Sequence, residues 1–496
     1  MLLDLFDAAL ADRADAFALD DLTYRQLHDG ARRVALKFEE RGIRPGDRVA
    51  IYSENRQGFV FAYLAALRMG AIAVPINVLY RSSDLSHVLS DAQPSIVVCS
   101  SASAPFVQEV ATQAWLVSAG EVETWARDTS LPAYEPRMRP GGDDPALIVY
   151  TSGTTGASKG AVLSHGNLEA IVSALIVAWR WQASDVLLVT LPLFHVHGLL
   201  AATTASLAAG GRVLLRERFD AREVLDTIAA GTVTMFFGVP TMYVRLLENA
   251  GDTPRGTGRS LPPIRLYVSG SAALSAETHR AFEERFAAQI LERYGATEFG
   301  FALSNRYAGP RVAGSVGIPM PGVRVRVATP DGVDALPGGE IGELLVAGAN
   351  VFAGYWKRPQ DTAASFAVDS DGTRWYRSGD LAQYDDGEGV YRIVGRIKEL
   401  IITGGFNVYP REVEDALERL EGVRACAVIG KADPARGELP IAFIEADGFV
   451  DTEALLLLLR AQLASFKIPK EIRIVDALPR NAMGKLDKPA LRKRLT

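Results

Sequence analysis

The chain has 496 residues, of which 48% are hydrophobic and 23% charged, and its formal net charge is −6 at pH 7. This length allows two or more domains with large cores, and the weak negative charge without a long basic run argues against a nucleic-acid partner. No apolar stretch reaches membrane-spanning length, and the acidic start of the chain is a poor signal or transit peptide, so we expect a cytoplasmic protein without membrane contact.

Predicted helices and strands alternate over the first 270 residues. Helices are predicted at 2–10, from a capping Thr23 to Arg41, and at 59–69, 84–90, 167–178, 197–209 and 221–229. Strands are predicted at 48–52, 71–75, 95–99, 186–190, 212–215, 235–237 and 265–268. This rhythm predicts a parallel, doubly wound α/β sheet, in which ligands lie at the carboxyl ends of the strands.

A loop at residues 151–160 interrupts this pattern between two apolar runs that are typical of strands. It reads TSGTTGASKG, so it combines glycines, hydroxyls and Lys159. Glycine backbone N–H groups, hydroxyl donors and a lysine together form an anion site, which favours a polyphosphate ligand. The loop is not a Walker A sequence, because Lys159 follows Gly156 by three positions and a strand-like run comes next.

The pattern of predicted helices and strands changes twice in the second half of the chain. From about Ser315, short strands at 323–327, 342–347 and 391–394 predict a β-rich subdomain over about 315–397. Helices at 410–420 and 452–464 and strands at 425–429, 441–445 and 472–475 follow. We therefore predict an N-terminal domain over residues 1–397 and a C-terminal domain over 398–496. Cys99 and Cys426 lie in apolar runs and are expected to be buried thiols.

Seven motifs occur in one order across nearly the whole chain. They are Tyr150–Gly160, Pro192–His195, Tyr294–Glu298, Tyr376–Asp380, Gly395–Glu399, Gly404–Pro410 and Pro479–Lys485. In this order and spacing the chain resembles the adenylate-forming superfamily, which includes acyl-CoA synthetases, adenylation domains of peptide synthetases and firefly luciferase. The resemblance implies a large α/β N-terminal domain of parallel-rich sheets sandwiched by helices, with a small β-subdomain, and a small mobile α+β C-terminal domain.

The resemblance also implies the chemistry. A carboxylate attacks the α-phosphorus of ATP, giving acyl-AMP and pyrophosphate, and the thiol of coenzyme A then attacks the acyl-AMP. Glu298 and Thr151 would hold Mg²⁺, and Thr297 would bind the α-phosphate. The residues implied to hold the β- and γ-phosphates are Thr151, Ser152, Gly153, Thr154, Thr155, Gly156 and Lys159.

Further nucleotide-binding residues follow from the same motifs. Tyr294 would lie beside adenine, Asp380 would accept the ribose hydroxyls, and Arg396 would bind ribose and phosphate. The remaining members of the implied nucleotide site are Gly270, Ser271, Ala272, Glu292, Arg293 and Gly295.

The C-terminal motifs imply a change of conformation between the two half-reactions. Lys485 matches the catalytic lysine of the family, and a lysine acetyltransferase acting on it would remove the required charge. Lys398 occupies the hinge, and rotation there would bring Gly404 and Gly405 to the pantetheine arm of coenzyme A.

The identity of the acid depends on weaker features. The runs FHVHG and VSGSAAL resemble malonyl-CoA synthetases, a subfamily that also accepts methylmalonate, with His195 as a gate. Arg280 is a candidate for the distal carboxylate, His197 is a second, and Ser269 lines the pocket.

Departures from the family pattern leave other acids open. Ala296 replaces a bulkier residue of the family, and Phe299 and Phe301 follow it, so another short-chain or aromatic acid remains possible. A stand-alone adenylation domain that loads a carrier protein is a further alternative. A non-catalytic nucleotide-binding scaffold is disfavoured, because Lys159, Glu298 and Lys485 are all present.

Overall fold

The computed structural model describes residues 2–110, 114–136, 138–151, 158–250, 262, 264–480 and 486–495. Its α-helices are α1 (Leu2–Arg13), α2 (Tyr24–Glu40), α3 (Gln57–Met69), α4 (Ser82–Ala92), α5 (Ala104–Val110), α6 (Ala119–Arg127), α7 (His165–Ala178), α8 (Ala205–Ala208), α9 (Ala221–Ala229), α10 (Pro240–Asn249), α11 (Ala276–Phe286), α12 (Pro359–Ala364), α13 (Pro410–Leu417), α14 (Thr452–Arg460) and α15 (Lys488–Arg492). A π-helix covers His197–Thr204, and 3₁₀ helices cover Ile397–Glu399 and Ser465–Lys467. Within the described ranges, every helix is too short or too polar to span a bilayer.

Local sequence explains why the helices form where they do. In α2, the Thr23 side chain accepts from Gln26 N and the Gln26 side chain accepts from Thr23 N, so a capping box starts the helix. Leu27, Val34 and Phe38 then lie on its buried face. Helix α3 is apolar on nearly every side and is buried on nearly every side.

The first sheet is mostly parallel. Its strands are β1 (Phe17–Leu19), β2 (Leu22–Thr23), β9 (Val186–Val189), β10 (Arg212–Leu215), β11 (Met235–Gly238), β12 (Leu266–Ser269), β13 (Ile290–Tyr294), β14 (Leu303–Ser304) and β15 (Ile318–Pro319). Their order is β15-β14-β13-β12-β11-β9-β10-β1-β2, and the central strands from β13 to β1 are parallel.

The second sheet has seven strands in the described chain. They are β3 (Arg48–Tyr52), β4 (Ile72–Pro75), β5 (Ile96–Cys99), β6 (Trp115–Ser118), β7 (Pro145–Thr151), β8 (Lys159–Ser164) and β18 (Gly354–Tyr355), in the order β18-β8-β7-β4-β3-β5-β6. Strands β7 and β8 form an antiparallel hairpin that ends at the pair Thr151↔Lys159. One apolar core joins the two sheets, with Val49 and Leu147 from the second and Leu187 and Val268 from the first.

Two smaller sheets follow. The third is antiparallel and contains β16 (Val323–Ala328), β17 (Ile341–Gly348), β19 (Phe366–Val368), β20 (Arg374–Asp385) and β21 (Val390–Arg396). The fourth contains β22 (Ile401–Thr403), β23 (Phe406–Val408), β24 (Val423–Asp433), β25 (Gly437–Ala446) and β26 (Glu471–Ile474). Helices α13 and α14 pack on this fourth sheet over a separate core that includes Val413, Val428 and Leu459.

These layers confirm the predicted α/β fold with a β-rich subdomain and a small α+β C-terminal unit; the boundary between residues 397 and 398 stays a prediction. Cys99 in β5 and Cys426 in β24 are buried free thiols, as expected. Two predicted helices end early, at Leu417 and Arg460 instead of 420 and 464.

The helix predicted at 197–209 differs in type, since a π-helix precedes α8. Two hydroxyls support the wider turn, because Thr203 Oγ1 donates to Gly198 O and Thr204 Oγ1 donates to Leu199 O, each five residues earlier. At its start, a Cβ on Gly198 would lie 2.3 Å from Pro192 O, so only glycine fits there.

Candidate active site

The central strands of the first sheet bring the run VSGSAAL and the motif Tyr294–Glu298 to one edge. Strands β11, β12 and β13 are parallel neighbours, with Gly238 opposite Ser269 and Ser269 opposite Glu292. Their carboxyl ends therefore lie side by side, which is where open α/β sheets bind ligands. The loops that follow carry Gly270 and Ser271 after β12 and residues 295–298 after β13.

Tyr294, Asp380 and Arg396 form one hydrogen-bonded group. The Tyr294 hydroxyl donates to Asp380 Oδ2 at 2.6 Å, and Arg396 Nε lies 3.1 Å from Asp380 Oδ1. The pairing of β20 with β21 places Asp380 opposite Arg396, so backbone register sets this contact. Burial, and then the charge of Asp380, raise the pKa of Tyr294 far above its ordinary value, so its hydroxyl remains a donor. The structure thus brings together the three residues predicted to contact adenosine.

Glu298 lies next to this group and is buried. Its Oε1 accepts a hydrogen bond from the Tyr355 hydroxyl at 2.9 Å. Burial raises the pKa of Glu298 above its ordinary value, and the hydrogen bond from Tyr355 opposes that shift. In the described chain, no three His, Cys, Asp or Glu residues cluster as metal ligands. A single carboxylate fits Mg²⁺ that completes its shell with water and phosphate oxygens, but not a metal held by protein alone.

The glycine at position 295 is required by close packing. A Cβ built on Gly295 would lie 2.0 Å from Gly300 O, so any other residue would force the two sides of this loop apart. Thr297, predicted to bind the α-phosphate, is half-buried in the same turn. The glycine therefore holds Thr297 and Glu298 in a tight turn at the end of β13.

Lys159 stands at the base of the β7–β8 hairpin loop. Its Nζ lies 2.8 Å from Asp361 Oδ1 on α12 and 5.4 Å from the Tyr355 ring centroid. Thr151 pairs with Lys159 across the hairpin. Ser152, Gly153, Thr154, Thr155, Gly156 and the predicted catalytic Lys485 fall outside the described residues, so their roles stay predictions.

A second group of side chains lies between the π-helix and the end of β13. Ser271 Oγ is 3.4 Å from His197 Nδ1, and Arg293 Nη2 donates to Ser271 Oγ at 3.3 Å. The Arg293 guanidinium lies 4.6 Å from the Phe301 ring centroid. A Cβ added to Gly270 would lie 2.4 Å from Arg293 Nε, so Gly270 packs directly against this side chain.

Arg293 is the buried cation of this group. Its Nε has no hydrogen-bond partner in the described structure, and no carboxylate described there pairs with its guanidinium. Burial alone lowers the pKa of Arg293 to about 9. An unpaired buried charge is costly, and a bound anion would offset that cost. Ser269 Oγ is likewise buried without a described partner.

Arg280, the first sequence candidate for the distal carboxylate, does not join this group. It is exposed on α11, where the buried residues are His279 and Phe282, and its Nε donates to Ala276 O one turn earlier. Ala272 is exposed as well. The arginine that the structure does bring to this group is Arg293, which the sequence motifs had placed with the nucleotide.

Asn55 is a residue that sequence reasoning missed. It is buried, its Nδ2 donates to Leu191 O at 2.9 Å and Arg216 O at 3.0 Å, and its Oδ1 accepts from Leu193 N at 2.9 Å. Asn55 follows β3 of the second sheet and holds the segment of the first that leads to His195. The signal in the sequence was a polar residue just beyond the carboxyl end of a buried strand.

His195 lies where that segment meets the hairpin. Its ring centroid is 4.7 Å from that of Phe194. A water-sized cavity of about 10 Å³ separates His195 and Phe194 from Tyr150 and Tyr80. The predicted gate thus adjoins β7, which leads into the predicted phosphate-binding loop.

The remaining predicted residues lie in the C-terminal unit or, in the case of Glu292, in strand β13. Gly404 and Gly405 form the β22–β23 turn with φ of +58° and +83°, a pair that favours glycine at both positions. Lys398 is exposed in the 3₁₀ helix before this hairpin. Glu292 is buried, accepts from Gly314 N at 3.2 Å, and has its pKa raised to about 8 by burial.

Comparisons with known proteins show which family the chain belongs to. Residues 6–356 match the family model for the AMP-binding enzyme, and residues 412–485 match its C-terminal domain. The chain belongs to the AMP-binding enzyme family. It is an AMP-forming acid–CoA ligase of the adenylate-forming superfamily, as the motif order indicated.

Several relatives of this AMP-binding enzyme are known in sequence or structure. Feruloyl-CoA synthase of Amycolatopsis sp is 38% identical over 478 residues, covering 95% of this chain and 94% of that protein. Malonate–CoA ligase ACSF3 of Mus musculus is 34% identical, covering 95% and 87%. ATP-bound MatB from Rhodopseudomonas palustris is 38% identical with a TM-score of 0.92, covering 100% and 99%, and the apo form of MatB gives 0.79.

Proposed function

We propose that this AMP-forming ligase activates malonate, and also methylmalonate, to the corresponding CoA thioester. The observation that carries the proposal is the buried Arg293 beside Ser271 and His197. A dicarboxylate has one carboxylate for adenylation and a second that would pair with this guanidinium. Such a charge-assisted contact in a dry pocket offsets the cost of burying the arginine.

Aromatic packing behind His197 supports a short acid. The Phe237 ring stacks on His197 at 6.4 Å between centroids, and Trp179 and Trp181 pack on Phe237 at 5.2 and 5.9 Å. Phe301 lies 6.4 Å from His197 on another side. We infer that this packing leaves no room beside His197 for a long acyl chain.

Ferulate is the second candidate, because a feruloyl-CoA synthase is as similar in sequence as MatB is. Phe237 and Phe301 would suit a planar aromatic acid. Ferulate, however, carries no second carboxylate, so Arg293 would remain without a counter-ion when it binds.

For the two half-reactions we carry the residue assignments over from the motifs. Lys159 and the loop of residues 151–157 hold the β- and γ-phosphates, and Tyr294, Asp380 and Arg396 orient the adenosine. Mg²⁺, when bound at Glu298, neutralises phosphate charge. Lys485 reaches the acid and the α-phosphate in the first half-reaction. Rotation at Lys398 then withdraws Lys485 and admits coenzyme A past Gly404 and Gly405.

An acid screen tests the substrate. With ATP, Mg²⁺ and coenzyme A, formation of the thioester is measured for malonate, methylmalonate, acetate, butyrate and ferulate. We expect malonate to give the highest kcat/KM, with methylmalonate next. A higher value for ferulate would refute the assignment, and acyl-AMP formation without transfer to coenzyme A would favour a carrier-loading enzyme.

A further inference from the structure

Asp380 lies on an irregular stretch of β20. Strand β17 pairs with β20 on both sides of this point, but three residues of β20, 378–380, face Leu344 of β17 alone. This β-bulge holds two more residues than a regular ladder would. Within it, Gly379 has a φ of +69°, a left-handed conformation that glycine adopts without strain. Regular pairing with β17 therefore does not fix the backbone that carries Asp380.

The carboxylate of Glu343, on β17, spans the bulge. Glu343 Oε1 accepts a hydrogen bond from Gly379 N at 3.0 Å, and Glu343 Oε2 accepts one from Arg377 Nη1 at 2.6 Å. The Glu343 residue is only 3% exposed, so little water competes for either contact. One side chain thus binds β20 both at the start of the bulge and inside it.

Arg377 is held in turn by the loop between β16 and β17. Its Nη2 donates to Gly332 O at 3.1 Å, and its Nη1 also donates to Pro330 O. A buried ion pair adds little net stability compared with apolar packing, whereas its charge-assisted hydrogen bonds are strict in direction. We therefore expect the pair of Glu343 and Arg377 to matter more for the shape of the bulge than for the stability of the sheet.

We propose that Glu343 is a positioning residue for Asp380, and that through Gly379 it sets how the ribose hydroxyls of ATP are bound. The inference rests on the proposed contact between Asp380 and the ribose. Tyr294 and Arg396 contact the Asp380 carboxylate itself. Glu343 acts on the backbone one residue earlier. Two carboxylate oxygens must meet two hydroxyls at once, so a small shift of this backbone weakens both contacts.

The test compares ATP with 2′,3′-dideoxy-ATP, which offers no ribose hydroxyl to Asp380. Titration calorimetry with Mg²⁺ and without acid gives Kd for each nucleotide in the unmodified enzyme and in Glu343→Gln. The amide has one acceptor oxygen where the carboxylate has two, so the bonds to Gly379 and Arg377 compete for it. We expect Kd for ATP to rise about tenfold and Kd for the dideoxy nucleotide to stay within about twofold. Equal changes for both nucleotides, or no change for ATP, would refute the proposal.

Two further variants separate positioning from stability. Glu340→Gln is the matched control, because Glu340 is exposed just before the same strand, and it should leave both Kd values within about twofold. Glu343→Asp keeps the charge on a shorter side chain, so it tests the same link if Glu343→Gln unfolds. We expect Glu343→Asp to weaken the binding of ATP selectively, and equal weakening of both nucleotides would again refute positioning.

Asp380→Asn separates the inference from its premise. If Asp380 binds the ribose, this variant should lose affinity for ATP but not for the dideoxy nucleotide. Equal changes in Asp380→Asn would overturn both the ribose contact and the role of Glu343. A selective change in Asp380→Asn without one in Glu343→Gln would overturn the positioning alone. Binding is measured without acid, so failure of malonate as substrate leaves the comparison intact.

Discussion

Replacing Arg293 by methionine should change substrate selectivity and stability in opposite directions. Arg293 is buried, its Nε has no partner among the described residues, and its polar contact is with Ser271. In the free enzyme the substitution removes a buried charge that no described carboxylate pairs, which should stabilise the fold. In the malonate complex it removes one partner of a buried ion pair, at a cost of about 3–5 kcal/mol. That cost corresponds to roughly 10²- to 10⁴-fold in kcat/KM.

The assay compares malonate with butyrate, which has no distal charge. Initial rates of pyrophosphate release at saturating ATP and coenzyme A give kcat/KM for each acid in the unmodified enzyme and in Arg293→Met. We expect a large loss for malonate and a change of only a few-fold for butyrate. Urea unfolding without substrate measures the accompanying gain in stability.

Arg280→Met is the matched control, because it removes the same side chain from the exposed face of α11. It should leave kcat/KM for malonate within about twofold, since surface substitutions rarely exceed ±0.5 kcal/mol. A selective loss for malonate in Arg280→Met, or equal losses for both acids in Arg293→Met, would refute the assignment of the buried cation.

Three other substitutions have expected outcomes. Lys485→Ala should abolish pyrophosphate exchange but spare transfer from supplied acyl-AMP; equal loss of both would contradict a lysine used in one half-reaction. Burial raises the pKa of Glu292 to about 8, so the folded state keeps a proton that the unfolded chain releases near pH 4.5, and stability falls as the pH rises between these values. The free energy of unfolding of Glu292→Gln, measured in urea, should therefore rise relative to that of the unmodified enzyme by a few kcal/mol between pH 5 and pH 9. A difference between the two that does not change with pH would refute this. Asn55→Ala leaves Leu191 O and Leu193 N without this partner, at about 1–3 kcal/mol per buried group, and should raise KM for the acid more than KM for ATP. Equal changes in both KM values would argue for a purely structural role.

Local signals predicted most of the elements. The capping residue Thr23 and the apolar runs around the hairpin each determine structure within a few residues, and each has the expected form in the structure. Alternating strands and helices sufficed to place the loops after β12 and β13 at one edge, because parallel strands share a carboxyl end.

Local sequence patterns could not predict contacts between residues that are distant in the chain. Asn55 holds a backbone 136 residues away, and Tyr355 reaches Glu298 from a short strand of the other sheet. The sequence could not show whether Arg280 or Arg293 is the better candidate for the distal carboxylate, since their burial depends on how α11 and β13 pack. The apolar run at 197–204 fits an α-helix equally well, and only packing of Gly198 against Pro192 and the threonine hydroxyls distinguish the π-helix.

Because both native thiols are buried, they should react poorly with thiol-directed dyes, so cysteines introduced elsewhere could be labelled selectively. The sequence has two cysteines, and burial raises the pKa of Cys99 to about 11 and that of Cys426 far above its ordinary value. Because the thiolate is the reactive form, maleimide dyes at neutral pH should spare both. Cysteines introduced at Val177 and Phe449, which are 64% and 98% exposed, would then carry a donor and an acceptor dye on the large and small units. Energy transfer between them would test the proposed rotation at Lys398 in single molecules, without removing any native residue of the core.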